Sequence, residues 1–199
     1  MQVHIEMAGS KRTLFHPLLR EGVEVQVRLG GTVRDILQQD LHIPEQIVDH
    51  EIQSLFLNNH PVDDLQTRIH TPGSVLSLSA AMPGLVGACM RRGGVYAGLR
   101  HGISWDEEAE DKNSLNQGCI VVKLFNFMAP RIGPILLAHG VGVDAKRLVQ
   151  LLDEASNAER AVISALQVGT KSMDVSDPKV KEALAGVQAV WLQVDGGSC

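Results

Sequence analysis

Residues 23–44 read VEVQVRLGGTVRDILQQDLHIP, and the hydrophobic period changes inside them. Val23, Val25 and Val27 alternate with Glu24, Gln26 and Arg28, the two-residue period of a strand with one buried face. From Val33 onward the apolar residues fall at Val33, Ile36, Leu37 and Leu41, the spacing of a helical stripe. Thr32 stands where an N-cap hydroxyl belongs, and Pro44 lies just beyond the predicted end near Leu41. A strand feeding a helix through Gly30-Gly31 sets the reading of the segments around it.

Upstream, Val3, Ile5 and Met7 alternate with His4 and Glu6, which predicts another strand. The intervening AGSKRTLFHPLLREG (8–22) reads as a hairpin connection with apolar content of its own. Downstream, residues 52–57 predict a strand that turns at Asn58-Asn59, where positive φ is tolerable. TPGSVLSLSA (71–80) predicts a Pro-Gly turn and a strand from Val75 to Ala80. Two strands, a helix and further strands make an α+β order, in which the first and last strands are expected to meet centrally in one mixed sheet.

TVRDILQQDLHI (32–43), LFLNNHPVDD (55–64) and IHTPGSVLSLSAAMPG (69–84) carry a resemblance. In these segments and in element order, residues 1–87 resemble the β-grasp (ubiquitin-like) sulfur carriers, namely the small subunit of molybdopterin synthase and the thiamine-pathway carrier. The resemblance implies their fold. Those carriers end soon after the last strand in Gly-Gly, whose carboxylate is adenylated and then thiolated. Here AAMPGLVGACMRRGG (80–94) stands in that place and the chain runs on. A peptide carbonyl at Gly84 or Gly94 cannot be adenylated as a carboxylate is, so the expectation is a carrier fold without carrier chemistry. Gly196-Gly197 is followed by Ser198 and Cys199, and maturation there stands as an alternative.

The ribbon GLVGACMRRGGVYAGLR (84–100) offers glycine amides beside guanidinium groups, a combination suited to phosphate or carboxylate. Arg91, Arg92, Gly93, Gly94 and Arg100 are therefore the candidate ligand-binding residues. The alternative is a crossover whose arginines meet the acidic run SWDEEAEDK (104–112). Cys89 beside two arginines is a candidate nucleophile, because nearby cations favour the thiolate. Lys123, in the apolar run CIVVKLFNF (119–127), is the second catalytic candidate, since burial depresses a lysine pKa. The bland alternative is a lysine that reaches out to solvent along its stem.

The organisation expected is residues 1–87 as the carrier-like domain, 88–117 as ribbon and acidic linker, and 118–199 as a mixed α/β domain of no recognised family. Within the last, 119–127 predicts a strand covered on both faces, and MAPRIGPILLAHG (128–140) a short helix closed by Gly140. Asp144 caps a firmer helix whose buried stripe is Leu148, Leu151 and Leu152. NAERAVISALQVG (157–169) reads as a continuation of that helix or the start of another. Asp177 and Pro178 open a further helix, and AVWLQV (189–194) closes as a strand.

Composition narrows the function classes. Hydrophobic residues make up 44% and charged residues 21%, the balance of a folded chain, while aromatics at 4% leave the core to aliphatic side chains. Nine Lys/Arg face ten Asp/Glu up to Arg100, and nine face thirteen after it, so neither half is a basic platform for nucleic acid. Cys89, Cys119 and Cys199 form no paired framework, which points to a reduced, cytoplasmic protein, and MQVHIEMAGSKR (1–12) lacks the apolar run of a signal peptide. The most hydrophobic stretch, 125–143, carries Arg131 and two prolines, so it reads as core rather than membrane span. No histidine sits at metal-ligand spacing, and no phosphate-loop or dinucleotide motif occurs, so neither metal nor cofactor is expected. The leading expectation is a non-enzymatic module that docks a protein partner, with homo-oligomerisation open and a link to sulfur or cofactor metabolism. The alternative is an enzyme acting on a small anionic substrate at the junction of the halves, using Cys89, Arg91, Arg92 and Lys123.

Overall fold

The computed structural model describes residues 1–8, 12–100, 103 and 116–196. The acidic run 104–112 and residues 197–199 lie outside the described residues. The chain is mixed α/β, built on one ten-stranded sheet.

The first strand, β1 (Gln2–Met7), buries Val3, Ile5 and Met7, as its alternation predicts. The segment after it is not a hairpin loop. It holds a 3₁₀ turn (Arg12–Phe15) and α1 (His16–Glu21), which ends at Gly22 with φ 119°. β2 (Val23–Leu29) follows, then α2 (Val33–Asp35), which runs on as a π-helical turn over Ile36–Asp40. Thr32 caps this segment through a capping box: its hydroxyl oxygen accepts from the Asp35 amide at 3.1 Å, while Asp35 Oδ2 accepts from the Thr32 amide at 3.3 Å. Val33, Ile36, Leu37 and Leu41 are all buried.

β3 (Ser54–Leu57) and β4 (His60–Pro61) form a hairpin across Asn58 and Asn59, both at positive φ. β5 (Val75–Ser79) leads into α3 (Gly84–Met90). β6 (Asn116–Phe125) buries Ile120, Val122 and Leu124 on one face, while Cys119, Val121 and Lys123 on the other are half-buried. α4 (Met128–His139) contains Pro134 and ends at Gly140, φ 98°. β7 (Val141–Asp144) ends at the Asp144 cap of α5 (Ala145–Glu154), whose Leu148, Leu151 and Leu152 are buried. α6 (Asn157–Arg160) is one turn long, and the helix expected to continue through 169 gives way to β8 (Ile163–Val168). Leu166 and Val168 point to the core with the period of a strand. β9 (Lys171–Met173), α7 (Lys179–Leu184) and β10 (Ala189–Gly196) complete the chain.

The strand order is β4-β3-β5-β6-β2-β7-β10-β1-β8-β9. β1 and β5 were expected to meet; four strands separate them. β6 lies between β5 and β2, parallel to the first and antiparallel to the second. β1 lies between β10 and β8, parallel to the first and antiparallel to the second. The sheet thus crosses the division between residues 1–87 and 118–199: each segment lends a central strand to the other. The physical reason is that β6 is apolar enough to occupy a central place between two strands. At the seam, β2 and β7 share one ladder pair, Glu24 with Gly142. The seam is bridged above by Arg147 of α5, which donates from Nε and Nη2 to the Glu21 carboxylate at 2.9 and 2.8 Å. This pairing holds the Glu21 carboxyl below its ordinary pKa. The buried side chains of both half-sheets form one continuous core.

Candidate functional site

The ribbon after β5 is where chain geometry and exposed chemistry coincide. Pro83 precedes α3 with an extended backbone, and Gly84 takes φ 77°, which turns the chain out of the sheet. α3 ends at Arg91, and the chain is then pinned at the open end of the β3–β4 hairpin, opposite the Asn58-Asn59 turn. The Arg92 amide donates to Gln53 O at 2.7 Å. Its guanidinium Nη2 donates to the carbonyls of Val48 and Asp49 at 3.0 and 3.3 Å. Burial pulls the Arg92 pKa down, with the Asp49 carboxylate opposing that shift.

Arg100 is the innermost member, only 4% exposed. Its Nε donates to Cys89 O at 2.7 Å and its Nη2 to Asp63 Oδ1 at 2.7 Å. The Gly93 amide donates to the same Asp63 oxygen at 3.0 Å. The Gly94 amide closes a turn onto Arg91 O at 3.1 Å. Farther on, Ile103 O is 3.1 Å from His60 Nδ1. Glycine amide and guanidinium converge here on a group of the chain itself, the Asp63 carboxylate.

The structure therefore brings together Cys89, Arg92, Gly93, Gly94 and Arg100. The Arg91 side chain is exposed and has no hydrogen-bond or ion-pair partner among the described residues. Cys89 enters the network through its backbone carbonyl, and its thiol is half-buried. Lys123 sits on β6 with its stem against Gly22: a Cβ there would lie 3.1 Å from Cε and 3.3 Å from Cγ. No hydrogen bond or ion pair joins Lys123 to the ribbon among the described residues. Burial, together with the Glu24 carboxylate, pushes the Cys119 thiol pKa up. No group of three potential metal ligands occurs among the described residues, nor does any described helix have the length and apolar character to cross a membrane.

Sequence reasoning missed Asp63. An aspartate in a polar turn carries no local mark of a guanidinium arriving from 37 residues away. It also missed the ribbon's other property. Nine large hydrophobic side chains are exposed among the described residues, and six of them, Leu85, Val86, Val95, Tyr96, Leu99 and Ile103, belong to this one segment. Val95 is 95% exposed and Leu99 76%, although the backbone on either side is anchored. Comparison of the chain with protein-family models, with curated proteins and with solved structures returns no match.

Proposed function

We propose that this protein is a non-enzymatic binding module whose anchored ribbon, residues 84–103, docks a protein partner. The observation that carries the reading is the pairing of exposed apolar side chains with a fixed backbone. Single exposed hydrophobics are ordinary on any surface, whereas a cluster of six on one segment is the mark of an interaction site. The Arg92 and Arg100 anchors lower the ordering cost on binding, because the arm is already in shape. Val95 and Leu99 then supply the contact.

The β-grasp reading of the first half stands within this proposal, in rearranged form. The order β4-β3-β5-β6-β2, with a helix between β2 and β3 and a parallel β5–β6 pair, supports a grasp whose central strand is lent by residues 116–125. The resemblance of residues 1–87 to sulfur carriers favours a partner among proteins of sulfur or cofactor metabolism. The non-carrier reading is supported at Gly196, which pairs with Met7 inside the sheet rather than standing in a free tail.

The test is a photo-crosslinking residue placed in the full chain at Val95, at Leu99 and, as control, at exposed Glu45. Val95 and Leu99 are expected to give the same adduct with one protein in the native cell, Glu45 none, and Leu99→Asp in the Val95 version should abolish it. Equal labelling from all three positions overturns the reading. An adduct between two copies of the chain reassigns the arm to self-association.

A further inference from the structure

A depression of about 440 Å³ opens beside the carboxyl ends of β5 and β6, next to the chain that leads into the ribbon. β5 and β6 are parallel, and their carboxyl ends lie side by side at Ser79 and Phe125. From there the connections diverge, β5 toward α3 and β6 toward α4. In open α/β sheets the crevice outside diverging strand ends is where ligands settle. Ala81 and Pro83 form the wall on the β5 side, and Asn126 and Phe127 the wall on the β6 side. His16 and Arg20 enter from α1.

Three features of this lining point one way. No carboxylate lines the depression, while Arg20 is exposed with no ion-pair partner among the described residues. Burial, assisted by the Arg20 charge, holds His16 below its ordinary pKa, so at neutral pH it presents a neutral hydrogen-bonding ring. Phe127 holds its ring out at 77% exposure, directly before the uncapped start of the 12-residue α4.

Asn126 fixes this corner. It adopts φ 53°, and its Nδ2 donates to the hydroxyl of buried Ser79 at 2.8 Å. A non-glycine residue held in the left-handed region by a buried partner marks a turn whose shape is imposed. That turn places Phe127 beside the cationic wall.

We propose that the depression bounded by Arg20, His16, Asn126 and Phe127 is a binding site for a small organic anion carrying a flat ring. Arg20 takes the phosphate or carboxylate, Phe127 stacks on the ring, and His16 and the Asn126 amide supply neutral hydrogen bonds. The depression adjoins the start of the ribbon but shares no lining residue with 84–103, and its ligand is not the docked partner of the preceding proposal.

The experiment is an NMR titration of the full chain with three probes: phenyl phosphate, benzoate and inorganic phosphate. Phenyl phosphate is expected to shift the His16 ring and the Asn126 and Phe127 amides saturably. Benzoate against phenyl phosphate separates the two acid groups by relative affinity. Arg20→Gln, at an exposed position, should weaken phenyl phosphate about tenfold or more, the usual cost of losing a charge-assisted contact. Phe127→Ala should weaken phenyl phosphate about threefold or more and leave inorganic phosphate unchanged. Absence of saturable shifts with all three probes, or Arg20→Gln binding as the unaltered chain does, overturns the site. Equal losses for phenyl and inorganic phosphate in Phe127→Ala overturn the ring assignment.

Discussion

The half-sheet β4-β3-β5-β6-β2 and the half-sheet β7-β10-β1-β8-β9 repeat one pattern with different stretches of chain. Each has an antiparallel hairpin at its outer edge, a parallel pair at its centre and an antiparallel strand at the seam. The local chain is repeated as well. α1, Gly22, β2 and the Thr32 cap are matched by α4, Gly140, β7 and the Asp144 cap. In residues 18–25 (LLREGVEV) and 136–143 (LLAHGVGV), five of eight positions are identical. Both glycines take positive φ, and each donates its amide to the carbonyl four residues earlier, at 2.9 and 3.0 Å. The difference lies in the parallel pair. In the first half-sheet it joins β5 and β6, neighbours in sequence, and in the second it joins β10 and β1, from opposite ends of the chain. What repeats is set by local sequence, and what differs is set by long-range pairing.

The sharpest test of that comparison removes equivalent core side chains. Ile36 and Leu148 each lie four residues after a cap and are fully buried. Ile36→Ala and Leu148→Ala should each cost about 2–5 kcal/mol in chemical denaturation. Because one core runs through both half-sheets, each variant should still unfold in a single transition. A two-step curve would break the picture of a continuous sheet and make the halves independent. Leu37→Ala belongs to the same class, as a fully buried member of the first helix.

A smaller effect separates the two glycines. A Cβ at Gly140 would fall 2.5 Å from Trp191 Nε1, and at Gly22 2.8 Å from a Val121 methyl. Each alanine should cost about 1–3 kcal/mol through the positive φ alone. Only Gly140→Ala should also shift tryptophan emission, because only there is the indole displaced. Identical spectra for the two variants would mean that the ring does not rest on that backbone.

The smallest effect is a pH response confined to the first half. Folding lowers the His16 pKa below 6.5, so the unfolded chain binds the proton more readily. This stabilising contribution is present above pH 6.5 and is lost as pH falls toward the folded-state value. Melting temperature should therefore drop between pH 7 and 5 by more in the unaltered chain than in His16→Gln. Equal drops would remove His16 as the cause.

Much of the local structure was legible in the sequence, for reasons that particular residues make plain. Thr32, the stripe from Val33 to Leu41 and the turn at Asn58-Asn59 all act through neighbours within a few positions. The place of β6 was not legible, because an apolar run at 119–125 says strand without saying between which strands. Residues 163–168 were misread because the preceding NAER is helical and only Leu166 and Val168 mark the change of period. The LLxxGVxV repeat was there to be found, and it would have suggested two copies of one module. At the ribbon, the arginines were visible but their shared partner Asp63 was not, since no sequence pattern links them.

The parallel pairing of β1 with β10 has a consequence for synthesis. Gln2 pairs with Trp191, and β1 is flanked on its other side by β8, so neither neighbour exists when β1 leaves the ribosome. At about 5–20 residues per second, the wait is on the order of 10–40 s. Throughout it, Val3, Ile5 and Met7 form an apolar strand with no sheet to join, in reach of any other nascent chain. Translation speed and chaperone occupancy, more than the stability of the finished sheet, would then govern how much of this protein is recovered intact.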